Sequence, residues 1–371
     1  MARLISLSDE IYSRIFRHVV NDTEPPNSPG ELLLASVARR WRDLALRTAE
    51  FWTTVRITHD RDLPPSISTR LSRTDGLPLD IYIRLEQYRY RVCTEYTEGV
   101  DLLIHHIGRW RSLHVQATNP VLHMIRLRIQ NLRMPVLERL AFIQTSTGPM
   151  QHIGPLALNP AVFRALHLER AMIFPSDASL LGGLTTIELV QSSLAMLDEQ
   201  KLLSVEYPTQ DSRLPSMINL ERLSVDGSNP TREGLPFSPA FSPAHLTFVR
   251  VARLHAPSMD RVQALSRFFG TAFSSPVLRV LEVEEITGFA WTMLLSVISA
   301  VGFPAMEKVV LKAVDGSGVD VNFLASFEDG LETLVLADLR NDHAERISEL
   351  ASHVHGIQHV QIAHGSTVQP E

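Results

Sequence analysis

The first sixty residues carry the apolar spacing of two amphipathic helices followed by a short strand. Apolar side chains recur at helical intervals in two sets, which are Ile11, Ile15, Phe16 and Val19, then Leu34, Val37, Trp41 and Leu44. We expect Ser8 to cap the first helix, with Asp9 and Glu10 in its first turn, where the helix dipole favours negative charge. Helices this short bury too little surface alone, so they either dock onto a partner or form the helical cap of a larger domain.

A second pattern recurs from Trp52 to the C-terminal region: an apolar residue, two others, an apolar residue, one other and a third apolar residue. The central residues of the units are, in order, Val55, Ile81, Leu113, Leu140, Leu166, Ile187, Leu223, Val249, Leu281, Val309, Leu334 and Val360. They span 305 residues in eleven steps, so one unit is about 28 residues long. This length is typical of a strand with a return helix or turn, and stacked units share a core.

The period predicts an α/β repeat solenoid, an irregular leucine-rich-repeat-like horseshoe with parallel strands. Return helices are expected at 99–107, 260–269 and 291–300. The alternative is an ordinary α/β domain with a parallel sheet. The even spacing and the lack of a Gly-rich phosphate loop after any strand favour the solenoid. Three polar stretches interrupt the period and are expected to be loops that either carry binding or are disordered, namely 144–155, 207–215 and 228–243.

The beginning of the chain resembles an F-box, and it is most similar to the F-box-like heads of large fungal families. The resemblance covers roughly residues 5–57. It is carried by Leu7-Ser8-Asp9-Glu10-Ile11, Ile15-Phe16-Arg17-His18-Val19, the segment 37–45 and Phe51-Trp52. Those families usually show Leu-Pro-x-Glu-Ile-Leu, then Val-x-x-x-Trp, then Pro-x-Leu-Trp. Here Ser8 stands where proline is usual, and 49–52 lacks the proline. The resemblance implies a small all-α F-box-like head over residues 1–57, followed by the solenoid over 58–371.

By this resemblance, the head would dock a Skp-type adaptor of a cullin-RING ubiquitin ligase of the SCF type, and the repeats would hold a substrate protein. The residues expected to build or line the adaptor interface, some of them as internal core, are Leu7, Ile11, Ile15, Phe16, Val37, Trp41 and Trp52. The protein itself would do no chemistry. One alternative is an F-box-like scaffold that has lost adaptor binding, which the departures at Ser8 and 49–52 motivate. Another is a hydrolase or metal enzyme that uses histidines.

The outward positions of the strands offer the candidate surface for the substrate. Residues that flank each central apolar residue are expected to point away from the core. The candidates are Arg139, His167, Glu188, Arg222, Phe248, Arg250, Glu282 and Lys308, and Glu169, Asp226, Glu284, Lys312 and His359 share their orientation. Mixed charge with a few arginine and aromatic anchors suits protein recognition, although a merely solvated face would have the same composition.

Few residues support catalysis or metal binding. The candidates are Asp101 with His105 and His106, and the C-terminal group His353, His355, His359 and His364. Solvated or core histidines account for both groups more readily. No His-Glu-x-x-His, Gly-x-Ser-x-Gly or Walker pattern occurs. We therefore expect no enzyme activity, no cofactor and no metal. Cys93 is the single cysteine, which excludes a disulfide framework, and its neighbours do not predict a reactive thiol.

Composition and charge narrow the class of partner. The 371 residues are 44% hydrophobic and 20% charged, as in ordinary globular proteins. Residues 1–140 hold 20 arginines against 16 acidic residues, whereas the remainder holds 15 basic against 25 acidic residues. A basic N-terminal part favours an acidic partner, but the excess is too small for a nucleic-acid interface. Neither a signal peptide nor a membrane span is predicted, so a cytoplasmic or nuclear location is expected.

Overall fold

The structure is a computed structural model of the 371-residue chain. It describes residues 8–21, 30–58, 64–85, 93–146, 151–153, 156–173, 183–190, 193–194, 219–226, 244–253, 270, 272–286, 288–314, 319–327, 330–339, 341–352, 354 and 357–363.

The chain begins with short helices that precede the first strand. They are α1 (Asp9–Asn21), α2 (Gly30–Val37) and α3 (Arg39–Arg47), followed by a 3-10 turn at Ala49–Trp52. Helix α1 begins directly after Ser8, the position predicted for its cap, where the Ser8 hydroxyl donates a hydrogen bond to Glu10 Oε2 at 3.3 Å. The carbonyl of Ser8 accepts the first hydrogen bond of the helix, from the N–H of Tyr12 at 3.1 Å.

The prediction of one helix running through Leu34 and Leu44 is wrong. The segment breaks at Ala38, whose backbone is extended, with φ −152° and ψ 156°. In a continuous helix Leu34 and Leu44 would lie about 15 Å apart along the axis. The break lets both enter one cluster with Phe16. Tertiary packing therefore overrides the high helix propensity of alanine at this position.

The N-terminal helices share a small aromatic core, the N-terminal cluster. Its buried members are Phe16, Leu34, Leu44, Ala45, Phe51 and Trp52, with Tyr12, Ala35 and Trp41 packed at its margin. The Phe16 ring meets the Trp41 ring edge-on at 4.8 Å between centroids, and it lies 6.4 Å from the Phe51 ring. Each such pair stabilises by about 0.5–1.5 kcal/mol beyond the burial of its area.

After these helices, the described structure is built on a large parallel sheet. Its strands and those of two smaller sheets are β1 (Thr54–Thr58), β2 (Leu79–Leu85), β3 (Trp110–Ala117), β4 (Arg133–Met134), β5 (Arg139–Gln144), β6 (Gln151–Ile153), β7 (Ala157–Leu158), β8 (Ala165–Glu169), β9 (Ala171–Ile173), β10 (Thr186–Val190), β11 (Ser193–Leu194), β12 (Arg222–Asp226), β13 (Phe248–Ala252), β14 (Val280–Glu284), β15 (Lys308–Lys312), β16 (Thr333–Ala337) and β17 (His359–Ala363). Within the described residues, the main sheet has twelve strands in the order β1-β2-β3-β5-β8-β10-β12-β13-β14-β15-β16-β17. It is open, with β1 and β17 at its edges.

The predicted strand centres are confirmed, and the structure adds their alignment. Each of the twelve centres from Val55 to Val360 lies in a strand of the main sheet. Each is also the register partner of the next, beginning with Val55 opposite Ile81 and ending with Leu334 opposite Val360. All of these pairings are parallel. The apolar period therefore predicts the register of the sheet as well as the existence of its strands.

Within the described residues, helices pack on one face of this sheet beside its N-terminal and C-terminal strands. They are α4 (Pro64–Ser72), α5 (Cys93–Ile104), α6 (Asn119–Ile129), α7 (Gly288–Val301), α8 (Val321–Ala325) and α9 (Asn341–Ser352). Their buried side chains, such as Ile67, Leu103 and Leu294, belong to the same core as the strand centres. The helices predicted at 99–107 and 291–300 are confirmed as α5 and α7. Helix α7 matches to within one turn, whereas α5 begins six residues earlier and ends three residues earlier than predicted. The prediction at 260–269 lies outside the described residues.

The same backbone conformation follows several strands. Arg170, Arg253, Glu285, Ala313 and Asp338 each come directly after a strand and have φ between 50° and 53°. Each donates its N–H to the carbonyl of the last residue of the next strand, at 2.8–3.1 Å. Left-handed backbone is unfavourable for residues other than glycine, by about 1–2 kcal/mol. The added hydrogen bond holds each turn in this conformation at the end of its strand.

The structure corrects one predicted loop. The stretch 144–155 was expected to be a polar loop, but Gln144 ends β5 and is buried, and β6 pairs with β9 in a small sheet. The stretches 207–215 and 228–243 lie outside the described residues. Across the described ranges, no helix is long and apolar enough to cross a membrane.

Candidate protein-interaction surfaces

The structure divides the seven residues proposed for the adaptor interface into exposed and buried groups. Ile11, Ile15 and Val37 are exposed, at 45%, 45% and 58% of their full surface. Phe16 and Trp52 are buried in the N-terminal cluster, and Trp41 is half-buried at its margin. Leu7 lies outside the described residues.

The exposed apolar residues form two pairs at one-turn spacing. Ile11 and Ile15 are four residues apart on α1, and Leu33 and Val37 are four residues apart on α2. Leu33 is 58% exposed, and the two helices contact each other. Residues four apart lie on the same side of a helix, so each helix presents one apolar stripe to solvent. Sequence reasoning missed Leu33, because it singled out only the helical face that carries Leu34, Val37, Trp41 and Leu44.

Trp52 joins the N-terminal helices to the sheet. Its indole Nε1 donates a hydrogen bond to the carbonyl of Ala45 in α3, at 2.8 Å. The guanidinium groups of Arg73 and Arg70 lie over its ring, at 4.4 and 5.4 Å from the centroid. Arg70 also donates to the carbonyl of Thr54 in β1, at 2.9 Å. Trp52 therefore contributes to packing on both sides of the junction, a structural role that leaves little of it to meet a partner.

The candidate substrate residues all lie on the face of the sheet opposite the helices, here called the polar face. The parallel register places Arg139, Arg222, Phe248 and Lys308 in one row across the strands. It places His167, Glu188, Arg250 and Glu282 in the next row. Arg139, Arg222 and Lys308 are exposed and the other five are half-buried.

Ion pairs hold many side chains of the polar face. His167 Nδ1 lies 2.6 Å from Glu188 Oε2, and this hydrogen bond lowers the pKa of Glu188 although burial opposes the shift. Glu284 joins two strands, since it pairs with Arg250 and with Lys312, each at 2.7 Å. Although burial alone would raise the pKa of Glu284, these hydrogen bonds lower it. Many charged side chains on the central and C-terminal strands are therefore paired with each other within the protein.

Asp226 was expected to point outward on the polar face, but its side chain is covered and hardly reaches solvent. Its side chain is only 4% exposed, and its two carboxylate oxygens accept hydrogen bonds from Arg253, with Nε at 3.0 Å from both. Arg253 is one of the left-handed residues that follow strands, and its guanidinium covers the carboxylate at the end of β12. The pair buries a charge that alternation alone would have placed in solvent.

The N-terminal end of the polar face carries a polar cluster that the sequence analysis did not single out. Asp80 in β2 is buried, and its carboxylate accepts hydrogen bonds from the Arg111 guanidinium through Nε (3.2 Å) and Nη2. It also accepts from Ser112 Oγ at 2.6 Å and from Arg139 Nη2 at 3.4 Å. Although burial alone would raise the pKa of Asp80, these hydrogen bonds and the two guanidinium charges lower it. Asp80 therefore holds two arginines beside each other.

A stack of three side chains lies in the neighbouring row. The imidazole of His114 is stacked on the ring of Tyr82 at 5.6 Å between centroids, and the Arg56 guanidinium lies 6.0 Å from the centre of the same ring. Tyr82 is 40% exposed. Burial lowers the pKa of His114, and the nearby His167 and Arg84 lower it further, which favours the uncharged imidazole.

The candidate metal and catalytic residues are engaged elsewhere or lie outside the described residues. The Asp101 carboxylate accepts a hydrogen bond from Arg128 Nε at 2.8 Å, and His105 Nδ1 lies 2.7 Å from the Asp101 carbonyl. In the described part of the chain, no group of three or more His, Cys, Asp or Glu side chains is placed to hold a metal. His359 is exposed on β17. His353, His355 and His364, and the side chain of Cys93, lie outside the described residues.

No known protein family matches the chain, and no curated protein matches it either.

Proposed function

We propose that this chain is a substrate-recognition adaptor of an SCF-type ubiquitin ligase. In this proposal the F-box-like N-terminal helices dock a Skp-type adaptor, and a leucine-rich-repeat-like solenoid presents its polar face to a substrate protein. The observation that carries the proposal is the pair of apolar stripes on α1 and α2, Ile11 with Ile15 and Leu33 with Val37. The chain would raise the local concentration of a substrate near the ubiquitin-carrying enzyme without chemistry of its own.

Three features of the sheet support the solenoid within this proposal. The strand order follows the chain without reversal, whereas a doubly wound sheet reverses its order at a switch point. The return helices contact their sequence neighbours, α4 with α5 and α5 with α6. The left-handed residue after the strand recurs with the same hydrogen bond. Contacts limited to neighbouring units are what a stacked repeat array requires.

The apolar stripes support the docking role of the N-terminal helices. Most large apolar side chains of a folded domain are buried, and adjacent exposed ones indicate an interaction site. Phe16 and Trp52 support those stripes from below, because they form the core on which α1, α2 and α3 rest. The resemblance to the F-box supplies the class of partner.

The proposal is tested by copurification with a Skp-type adaptor. The double variant Ile15→Asp with Val37→Asp changes one exposed residue in each stripe and leaves the N-terminal cluster intact. The matched control is Leu127→Asp on α6, where the leucine is 47% exposed and distant in sequence. We expect the wild type and Leu127→Asp to retain the adaptor and the double variant to lose it, with unchanged circular dichroism for all three. Retention by the double variant would contradict the proposed docking surface.

The alternative is an interaction scaffold of the same architecture that has no ligase role. Ser8 in place of the usual proline, and the lack of a proline at 49–52, favour this alternative. The same copurification separates the two functions, because a scaffold would fail to retain the adaptor even as the wild type.

A further inference from the structure

The polar cluster of Asp80, Arg111, Ser112 and Arg139 presents its two arginines in a fixed arrangement on the polar face. Asp80 has a side chain only 11% exposed, whereas the side chains of Arg111 and Arg139 are 39% and 56% exposed. One buried carboxylate thus anchors two guanidinium groups whose outer surfaces face solvent. A guanidinium has five N–H donors, and a single shared carboxylate occupies only part of this capacity. Arginine side chains fixed in this way lose little entropy when they bind a further carboxylate.

A β-bulge builds this arrangement. The register between β2 and β3 shifts after Leu79, which pairs with Trp110, while Asp80 pairs with Ser112. Arg111 is therefore the extra residue of β3, and it reaches Asp80 together with its neighbour Ser112. Bulges re-aim side chains and are common beside functional sites. Without the extra residue, strand alternation would direct Arg111 and Ser112 to opposite faces.

Arginine outnumbers the acidic residues in the strands around the arginine pair, and this excess has a sharp limit. Outside the strands, Glu138 directly before β5 is close enough to Arg111 for its negative charge to raise the pKa of that guanidinium. Strands β1, β2, β3 and β5 carry four arginines (Arg56, Arg84, Arg111 and Arg139) and one acidic residue, Asp80. The next two strands of the sheet, β8 and β10, carry Glu169 and Glu188 and no lysine or arginine. The positive strip is thus four strands wide, about 14 Å, which is about four residues of extended peptide.

We propose that this strip, centred on Arg111 and Arg139, binds a short Asp- or Glu-rich segment of the partner protein. The inference rests on the proposed function, in which the polar face receives the substrate, and it names the chemistry of the segment recognised. The carboxylates of the segment pair with the outer N–H groups of the two arginines. The stack of Tyr82 on His114 in the neighbouring row supplies an aromatic contact, and the small side chain of Ala141 beside His114 leaves room for the bound backbone.

The limits of the strip favour an acidic peptide over a nucleic acid. A nucleic acid presents a continuous row of phosphates and requires a longer basic track. Here such a row would meet Glu169 and Glu188 within two strands of Arg139. A short acidic segment fits the strip and can continue onto the mixed part of the face with residues of other kinds.

The experiment is a fluorescence anisotropy titration of the full chain with a labelled peptide of about ten residues with alternating Glu and Asp. A peptide with Gln and Asn at the same positions, and a single-stranded thymidine oligonucleotide of equal length, are the comparison probes. The test variant is Arg139→Gln, which leaves Asp80 bonded to Arg111 and Ser112. The matched control is Lys308→Gln, an exposed cation in the same row on β15.

We expect the acidic peptide to bind at least tenfold more tightly than the Gln/Asn peptide. We also expect Arg139→Gln to weaken the binding at least fivefold and Lys308→Gln to change it by less than twofold. Equal weakening by both variants, or no binding of the acidic peptide by the wild type, would overturn the inference. It would also be overturned if the oligonucleotide bound the wild type more tightly than the acidic peptide and Arg139→Gln weakened that binding. Adaptor copurification with the same samples separates the two proposals. Retained adaptor without peptide binding refutes only this inference, and peptide binding without adaptor refutes only the ligase role.

Discussion

Replacing Trp52 by phenylalanine should loosen the N-terminal helices from the sheet, because the Trp52 side chain donates a hydrogen bond to α3 and its ring lies beneath Arg73 and Arg70, of which Arg70 binds β1. The variant keeps an aromatic ring but removes the indole N–H, so the Ala45 carbonyl loses a 2.8 Å hydrogen bond inside a cluster where Ala45 is fully buried. An unsatisfied buried group costs about 1–3 kcal/mol. The Arg73 guanidinium lies 4.4 Å from the centre of the Trp52 ring in the wild type, and it interacts more weakly with the smaller phenylalanine ring. This lowers the stability by a further amount of about 0.5 kcal/mol.

The expected loss of stability at this junction is therefore about 2–3 kcal/mol, with a further contribution from the smaller ring volume. Hydrogen–deuterium exchange measures it locally. A loss of about 2 kcal/mol corresponds to roughly 30-fold faster exchange of amides that open with α3. Exchange in α7, far along the chain, should stay within about threefold of the wild type, since neighbouring units carry most of the contacts.

Trp291→Phe is the matched control for this prediction. Trp291 is also buried, at 3% exposure, but its indole N–H has no hydrogen-bond partner among the described residues. The Trp291→Phe variant therefore loses ring volume without losing a described hydrogen bond. It should reduce the protection of α7 from hydrogen exchange by less than Trp52→Phe reduces the protection of α3. If α3 protection is unchanged in Trp52→Phe, or if both variants act equally, the reasoning about the Trp52 hydrogen bond is wrong.

Two further predictions concern the polar cluster and the recurring turn. Asp80→Asn should lower the free energy of unfolding at pH 7 by about 1–2 kcal/mol. This is less than the loss of a fully buried ion pair would cost, because the arginine partners of Asp80 are partly exposed to solvent. The pKa of Asp80 is lowered in the folded state, so its stabilisation is present above the ordinary pKa of 3.8 and is lost as pH falls through the folded value. The urea midpoints of wild type and Asp80→Asn should therefore converge below pH 4, and a constant difference down to pH 2 would contradict the pairing. Ala313→Gly should raise stability by about 0.5–1 kcal/mol, because φ at Ala313 is 50°, whereas Ala252→Gly, in a buried strand, should lower it. Equal effects of the two glycine variants in thermal unfolding would contradict the left-handed assignment.

The strands and their register could be predicted from the sequence because each unit repeats the same local pattern. Apolar residues such as Leu223 and Leu281 are spaced so that stacking the units aligns them in one row. A shift of one residue in any strand would turn its apolar side chains to the opposite face, so burial fixes the register strongly. A regular period is therefore enough to determine both strand position and strand pairing.

The features that escaped prediction depend on departures from that regularity. The break at Ala38 has no proline or glycine to mark it, and it follows from packing against Phe16. The bulge in β3 shifts Arg111 by one residue, so alternation alone places it on the wrong face. Asp226 looks like an outward residue until the left-handed turn at Arg253 brings a guanidinium over it. Each depends on contacts between residues far apart in sequence, which a local pattern does not contain.

The most direct test of the proposed ligase role is the affinity of the purified chain for a Skp-type adaptor, measured by titration with the wild type and the Ile15→Asp, Val37→Asp double variant. The account predicts that the wild type binds and that the double variant binds at least tenfold more weakly, a loss of about 1.4 kcal/mol or more. Wild-type binding that the double variant retains would show that the apolar stripes of α1 and α2 are not the docking surface. No binding by the folded wild type would contradict the ligase role itself.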